Sequence, residues 1–202
     1  MINLKEIERI YIYQYGKVGS CTLLKTLKRH HSNVHHTHLF EKNMLLNNTL
    51  IVNVVRNLYD RNISAFFQNI NAKKYPSWYY CPKKDNEKIK MKHLMNHYKK
   101  VNIEHLKSDI NTWYERFNNH LKTDIFDKKF NFQDKYSLYT SNNRTILTLR
   151  YEDISEWTNI LGKIFNLKIN LLNNNLTVKK PTYQLYIDFK KQYKYSEEEC
   201  HL

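Results

Sequence analysis

Three short runs rich in β-branched and aromatic residues, 9–14, 50–55 and 145–149, are each followed by a stretch of helical character near 20–31, 58–70 and 154–166. A strand buried on both faces reads as a near-continuous apolar run, and reaching a parallel neighbour takes a crossover of a dozen residues or more, usually a helix. The alternation therefore predicts an α/β fold with a parallel sheet flanked by helices. Residues 34–38 form a weaker fourth strand candidate. Within 85–125, Ile103, Leu106, Ile110, Trp113, Phe117 and Leu121 recur at spacings of three and four, which predicts one amphipathic helix with its stripe in the core. A final helix is expected from Tyr183 to about Tyr195. No repeat or linker interrupts the chain, so a single domain is expected over 1–202.

Glycine is scarce, only 3 in 202 residues, yet two of them lie three apart in Tyr15-Gly16-Lys17-Val18-Gly19-Ser20. The first strand runs into this loop and the first helix leaves it. Glycine serves where φ must be positive or a ligand must come close, and strand, glycine loop with lysine and helix start together make a phosphate cradle. Ser20 suits the N-cap of the helix. Residues 21–32 contain no acid, which leaves the positive helix end available to an anion. The other reading is an ordinary strand–helix turn. A Walker A loop would place four residues between its first glycine and Gly-Lys-Ser/Thr, whereas Lys17 follows Gly16 directly. The strand at 50–55 ends in Arg56, where a magnesium-holding acid would be needed. A magnesium-nucleotide hydrolase is set aside.

Arg56 leaves the carboxyl end of a strand, where α/β sheets bind ligands. Ser64 follows eight positions later, about two helical turns, and can share a face with the helix start. A guanidinium and a hydroxyl can clamp one phosphate. A third group is His35-His36-Thr37-His38, close to His30 and His31. Imidazole can accept a proton from a hydroxyl near neutral pH. Surface packing and a zinc site are the rival readings; no cysteine pair accompanies the histidines.

The net charge of +14 predicts an anionic partner: nucleic acid, an anionic membrane surface, a phosphorylated cofactor or an acidic glycan. Hydrophobic content of 41% and aromatic content of 14% argue for a globular chain. Cys21, Cys81 and Cys200 are few and widely spaced, as in a reducing compartment. The charged amino-terminal segment lacks a secretory apolar core, and no apolar run approaches the roughly 20 residues of a membrane span. A cytoplasmic location is expected. Pro76 and Pro82 punctuate a Tyr/Lys-rich segment from Lys73 to Lys84, read as a surface loop that could cover a ligand.

Taken together, the order strand–Gly16-Lys17-Val18-Gly19-Ser20–helix and strand–Arg56-x7-Ser64-x-Phe66 resembles the sulfotransferase family, which uses 3′-phosphoadenosine 5′-phosphosulfate (PAPS) as donor. Arg61 matches the second arginine of the pattern Arg-x4-Arg-x2-Ser in the carbohydrate branch. Leu149-Arg150-Tyr151-Glu152-Asp153-Ile154 looks like the family's strand-end Arg-Tyr-Glu-Asp-Leu element. Trp113-Tyr114, followed by Asp124-Ile125-Phe126 and Phe130, resembles a branch of capsular polysaccharide synthesis proteins.

The resemblance implies a P-loop-like three-layer sandwich and a sulfuryl transfer to a hydroxyl acceptor, with a glycan favoured. It implies that Gly16, Lys17, Val18, Gly19, Ser20, Cys21 and Thr22 grip the 5′-phosphosulfate, while Arg56 and Ser64 hold the 3′-phosphate. Lys17 would stabilise the leaving oxygen. By the branch's His-x-His, His38 would be the base and His36 its neighbour. Neither a metal nor a nucleic-acid partner is expected, and Glu152 and Asp153 are expected to cap the following helix start. The chain departs from the family at Gln14-Tyr15-Gly16, where cytosolic members have a proline before the lysine, and at Cys21, usually Ser or Thr. A carboxy-terminal glycine-rich loop is absent; Lys179-Lys180 could substitute. Other classes remain open: a nucleic-acid-binding module, a non-catalytic carbohydrate-binding protein and a P-loop kinase.

Overall fold

The computed structural model describes residues 1–71, 91–108, 110–122, 129–172, 180 and 182–200. The strands are β1 (Arg9–Tyr13), β2 (Val34–Thr37), β3 (Thr49–Val55), β4 (Tyr136–Ser141) and β5 (Arg144–Arg150). The helices are α1 (Ser20–Leu27), α2 (Leu58–Asn71), α3 (Met91–Ser108), α4 (Ile110–Leu121), α5 (Trp157–Phe165), α6 (Tyr183–Gln192) and α7 (Glu197–Cys200), with 3-10 turns at Lys42–Leu45 and Tyr151–Glu156. The chain packs as two compact units, Met1–Asn57 with Tyr114–Asn175, and Leu58–Trp113 with Leu176–Leu202.

The first unit is α/β. Its five strands form one sheet in the order β2-β1-β3-β5-β4. The β1–β2, β1–β3 and β3–β5 pairs are parallel, and β4 runs antiparallel to β5. Side chains alternate across a strand. On one face Ile10, Ile12, Leu50, Val52, Val54, Leu147 and Leu149 meet Leu23 and Leu27 of α1 and Trp157, Ile160, Leu161 and Ile164 of α5. On the other face Tyr13 stacks on Phe117 of α4, ring centres 5.3 Å and planes 8° apart. Helices cover both faces, which is why β1, β3 and β5 read as unbroken apolar runs.

Two elements differ from expectation. β4 carries Tyr-Ser-Leu-Tyr-Thr-Ser, too polar to stand out, and joins β5 through Asn142 and Asn143 at φ 50° and 60°. Positive φ at both central residues gives a two-residue hairpin turn that matches the sheet twist. The single helix expected over 85–125 is described as α3 and α4, with residue 109 outside the described residues; Phe117 and Leu121 of its stripe are buried. The segment from Lys73 to Lys84, Asp124 to Phe126, Lys179 and Pro181 also lie outside the described residues.

The second face of the sheet carries an unusual pair. Asn53 and Thr148 are register partners on β3 and β5. Asn53 is fully buried, and among the described residues neither its amide atoms nor Thr148 Oγ1 meets a hydrogen-bond partner. A buried amide without partners costs about 1–3 kcal/mol in proteins. Asn53→Leu keeps the branched shape and removes the penalty, so it should raise the free energy of urea unfolding by about 1–2 kcal/mol. A fall instead would mean that bound water satisfies the amide.

The second unit is helical. Ile63, Phe66, Phe67 and Ile70 of α2, Leu94 and Tyr98 of α3, and Phe189 of α6 form its core with Tyr193. Asp60 and Lys190 pair at 2.5 Å on its surface.

Candidate functional site

The glycine loop has the backbone that its composition suggests. Gly16, Lys17 and Gly19 have φ of 108°, 61° and 78°. Lys17 has a side chain and so holds its left-handed conformation at a cost of about 1–2 kcal/mol. Gly19 is doubly required. Its φ is positive, and a Cβ there would lie 3.1 Å from Tyr151 Cδ2 and 3.2 Å from Ile154 Cδ1.

Gly19, not Ser20, is the N-cap of α1. The left-handed turn brings the chain into the helix one residue earlier, leaving Ser20 as the first helical residue with its hydroxyl directed at a histidine. The first turn of α1 holds no acid. Among the described residues, the backbone N–H groups of Val18, Gly19, Ser20 and Cys21 donate to no group of the chain. Val18, Ser20 and Thr22 are buried and Cys21 is exposed.

Arg56, at the end of β3, reaches this loop. Its Nη1 donates to the Lys17 carbonyl at 2.8 Å, and its guanidinium lies 4.1 Å from the centre of the Tyr151 ring. Its Nε is buried with no acceptor among the described residues. Tyr151 is thus packed between the arginine and Gly19.

The residues beside Tyr151 hold that turn in place. The Asn57 N–H donates to Glu152 Oε1 at 2.7 Å, Arg150 pairs with Asp153 at 2.8 Å, and Trp157 Nε1 donates to the Arg150 carbonyl at 3.0 Å. Hydrogen bonding to Asp153 pushes the Arg150 pKa up despite partial burial. Glu152 is therefore a brace between the ends of β3 and β5, Asp153 pairs within the end of β5, and neither caps a helix start with its side chain. The Arg150 guanidinium also lies over Phe130 and Phe132, 5.5 and 5.1 Å from the ring centres.

The histidines separate into two groups. His36 Nε2 lies 2.9 Å from Ser20 Oγ and 3.1 Å from Gln14 Nε2. His38 Nδ1 lies 3.0 Å from Gln14 Nε2 and 3.0 Å from the Gln14 carbonyl. The two rings are 5.5 Å apart. Burial, then the neighbouring His38, pulls the His36 pKa below the ordinary histidine value. The folded state therefore resists a proton that the unfolded chain takes up. The His36 contribution to stability is complete at neutral pH and declines as pH falls below the ordinary value.

His35 instead stacks on Tyr11 at 4.7 Å, and His31 Nε2 donates to the Ile7 carbonyl at 2.8 Å. Among the described residues no three His, Cys, Asp or Glu side chains converge as a metal ligand set.

The first unit thus brings together Gly16, Lys17, Gly19, Ser20, His36, His38 and Arg56. Ser64 is half-buried on α2 and belongs to the second unit, as do Arg61, Trp113 and Lys180. Gln14 emerges only from the structure, because its contacts depend on the β1–β2 register. Among the described residues no helix is long and apolar enough to cross a membrane. No protein-family model, curated protein or solved structure matches the chain.

Proposed function

We propose that the first unit binds PAPS and transfers its sulfuryl group to a hydroxyl acceptor, with a glycan favoured. The observation that carries this reading is Arg56. It braces the Lys17 carbonyl through Nη1 while its buried Nε meets no acceptor among the described residues. A buried guanidinium N–H without an acceptor is costly and suits a bound anion. The left-handed backbone at Gly16, Lys17 and Gly19, the undonated N–H groups and the acid-free first turn suit a second anion beside it. These residues fit a donor carrying two phosphorylated positions. The β2-β1-β3 order, with the loop after β1 and the arginine after β3, is in keeping with a P-loop-like three-layer sandwich.

When bound, the donor supplies an activated sulfuryl group whose transfer leaves negative charge on a phosphate oxygen. Lys17 and the loop N–H groups provide preorganised positive charge for that oxygen. Arg56 binds the remote 3′-phosphate, so its interaction contributes donor affinity away from the reacting centre. His38, or His36, takes the proton of the acceptor hydroxyl.

Thermal unfolding with the desulfated donor, 3′-phosphoadenosine 5′-phosphate, tests the reading. At a hundredfold excess over its dissociation constant it should stabilise the wild type by about 2.7 kcal/mol, or roughly 5–10 °C for a chain of this size. Lys17→Ala and Arg56→Ala should lose most of that shift. No shift in the wild type overturns the donor site. A larger shift with magnesium and ATP moves the reading to a kinase.

A further inference from the structure

We propose that Gln14 is a positioning residue that keeps Nε2 of His36 unprotonated and ties both imidazoles to the glycine loop. Its catalytic meaning rests on the function proposed above; its measurement does not.

Gln14 follows β1 directly and is fully buried. Its Oε1 accepts the Gly16 N–H. A backbone N–H can only donate, so the amide oxygen must face Gly16 and the NH2 must face the histidines. That NH2 has two hydrogens and no lone pair to offer. It lies 3.1 Å from His36 Nε2, and 3.0 Å from Nδ1 and 3.4 Å from Nε2 of His38. His38 Nδ1 is also 3.0 Å from the Gln14 carbonyl, which can only accept, so donor and acceptor compete there and the geometry fixes the tautomer of His36 alone. Ser20 Oγ, 2.9 Å from His36 Nε2, can donate or accept and is compatible with the same state.

A proton on His36 Nε2 would set N–H against N–H in a partly buried cluster. The titratable groups gathered here are His36, His38 and, on the loop that Gln14 bonds, Lys17. Burial and His38 are the influences on His36, and no carboxylate offsets them. One amide thus holds the neutral His36 ring beside the loop that carries Lys17, with its Nε2 lone pair shared between Gln14 and Ser20. A proton acceptor has to be held neutral before it can take a hydroxyl proton.

The test is imidazole nitrogen NMR on the full chain, titrated with pH, for wild type, Gln14→Glu and Gln14→Met. Wild type should show His36 protonated at Nδ1 alone at neutral pH. Gln14→Glu sets a carboxylate oxygen against His36 Nε2, and the His36 midpoint should rise by roughly one pH unit or more, a tenfold gain in proton affinity. Gln14→Met keeps the length without the donor, so the tautomers should become mixed, and this variant decides the matter if Gln14→Glu does not fold. Wild-type tautomers and midpoints in Gln14→Met would overturn the proposal. Altered histidines with no donor-dependent thermal shift in wild type would defeat the donor site alone; a donor shift with unaltered histidines would defeat the role of Gln14 alone.

Discussion

Glu199→Ala should lower the stability of the second unit by about 3–5 kcal/mol, read as a fall in its urea midpoint. Glu199 is 1% exposed and accepts four hydrogen bonds: from Asn102 Nδ2 at 2.8 Å, Tyr193 OH at 2.6 Å, Ser196 N at 2.8 Å and Ser196 Oγ at 3.0 Å. Asn102 Oδ1 in turn accepts from Asn62 at 2.8 Å and Tyr98 at 3.2 Å. One carboxylate therefore links α7 to α3 and, through Asn102, to α2. Removing it strands several buried donors at once, which costs more than the net worth of any single bond.

The same site makes a pH prediction. Burial alone would raise the Glu199 pKa, but the bonds from Ser196, Tyr193 and Asn102 outweigh it and hold the pKa below the ordinary carboxylate value. A depressed carboxylate stabilises the fold above its unfolded pKa, and that contribution is lost as pH falls through the folded value. The alanine variant should accordingly show a flatter loss of stability in acid. A cost under about 1 kcal/mol would show that the network is not fully desolvated.

Trp157→Ala should cost the first unit a similar amount, about 3–5 kcal/mol, and should also abolish the donor-dependent thermal shift. Among the described residues Trp157 is the largest fully buried side chain, and it lies among Ile160, Leu161 and Ile164 against the sheet. Its Nε1 also holds the Arg150 carbonyl, one residue before the Tyr151 ring that packs on Arg56 and Gly19. Trp157→Phe keeps most of the apolar contact and loses only that bond, so it should cost about 1–2 kcal/mol and weaken the shift without removing it. Wild-type stability in the alanine variant would remove Trp157 from the core. A full shift in that variant would uncouple the core from the loop.

The parallel part of the sheet was legible because β1, β3 and β5 are covered on both faces and keep their apolar pattern whatever surrounds them. β4 was hidden for the opposite reason. As an edge strand with half-exposed Tyr, Ser and Thr it has no periodicity to find, although Asn142-Asn143 carried a turn signal. Gly16, Lys17, Gly19 and Arg56 were visible as a local motif. Whether Ser20 caps the helix was not, because a glycine in left-handed conformation displaced it. The glutamine between loop and histidines could not be read at all. Gln14 and His36 are 22 positions apart and meet only because Ile12 pairs with His36 across β1 and β2.

Among the described residues β2 borders the sheet and has only β1 beside it. Such a margin opens at a free energy well below that of global unfolding. Opening there would carry the His36 imidazole away from the glycine loop and would uncover Val34, the one residue of the strand that belongs to the core. What holds the histidine in place is therefore one short ladder, one apolar side chain and the bonds from His36 to Gln14 and Ser20.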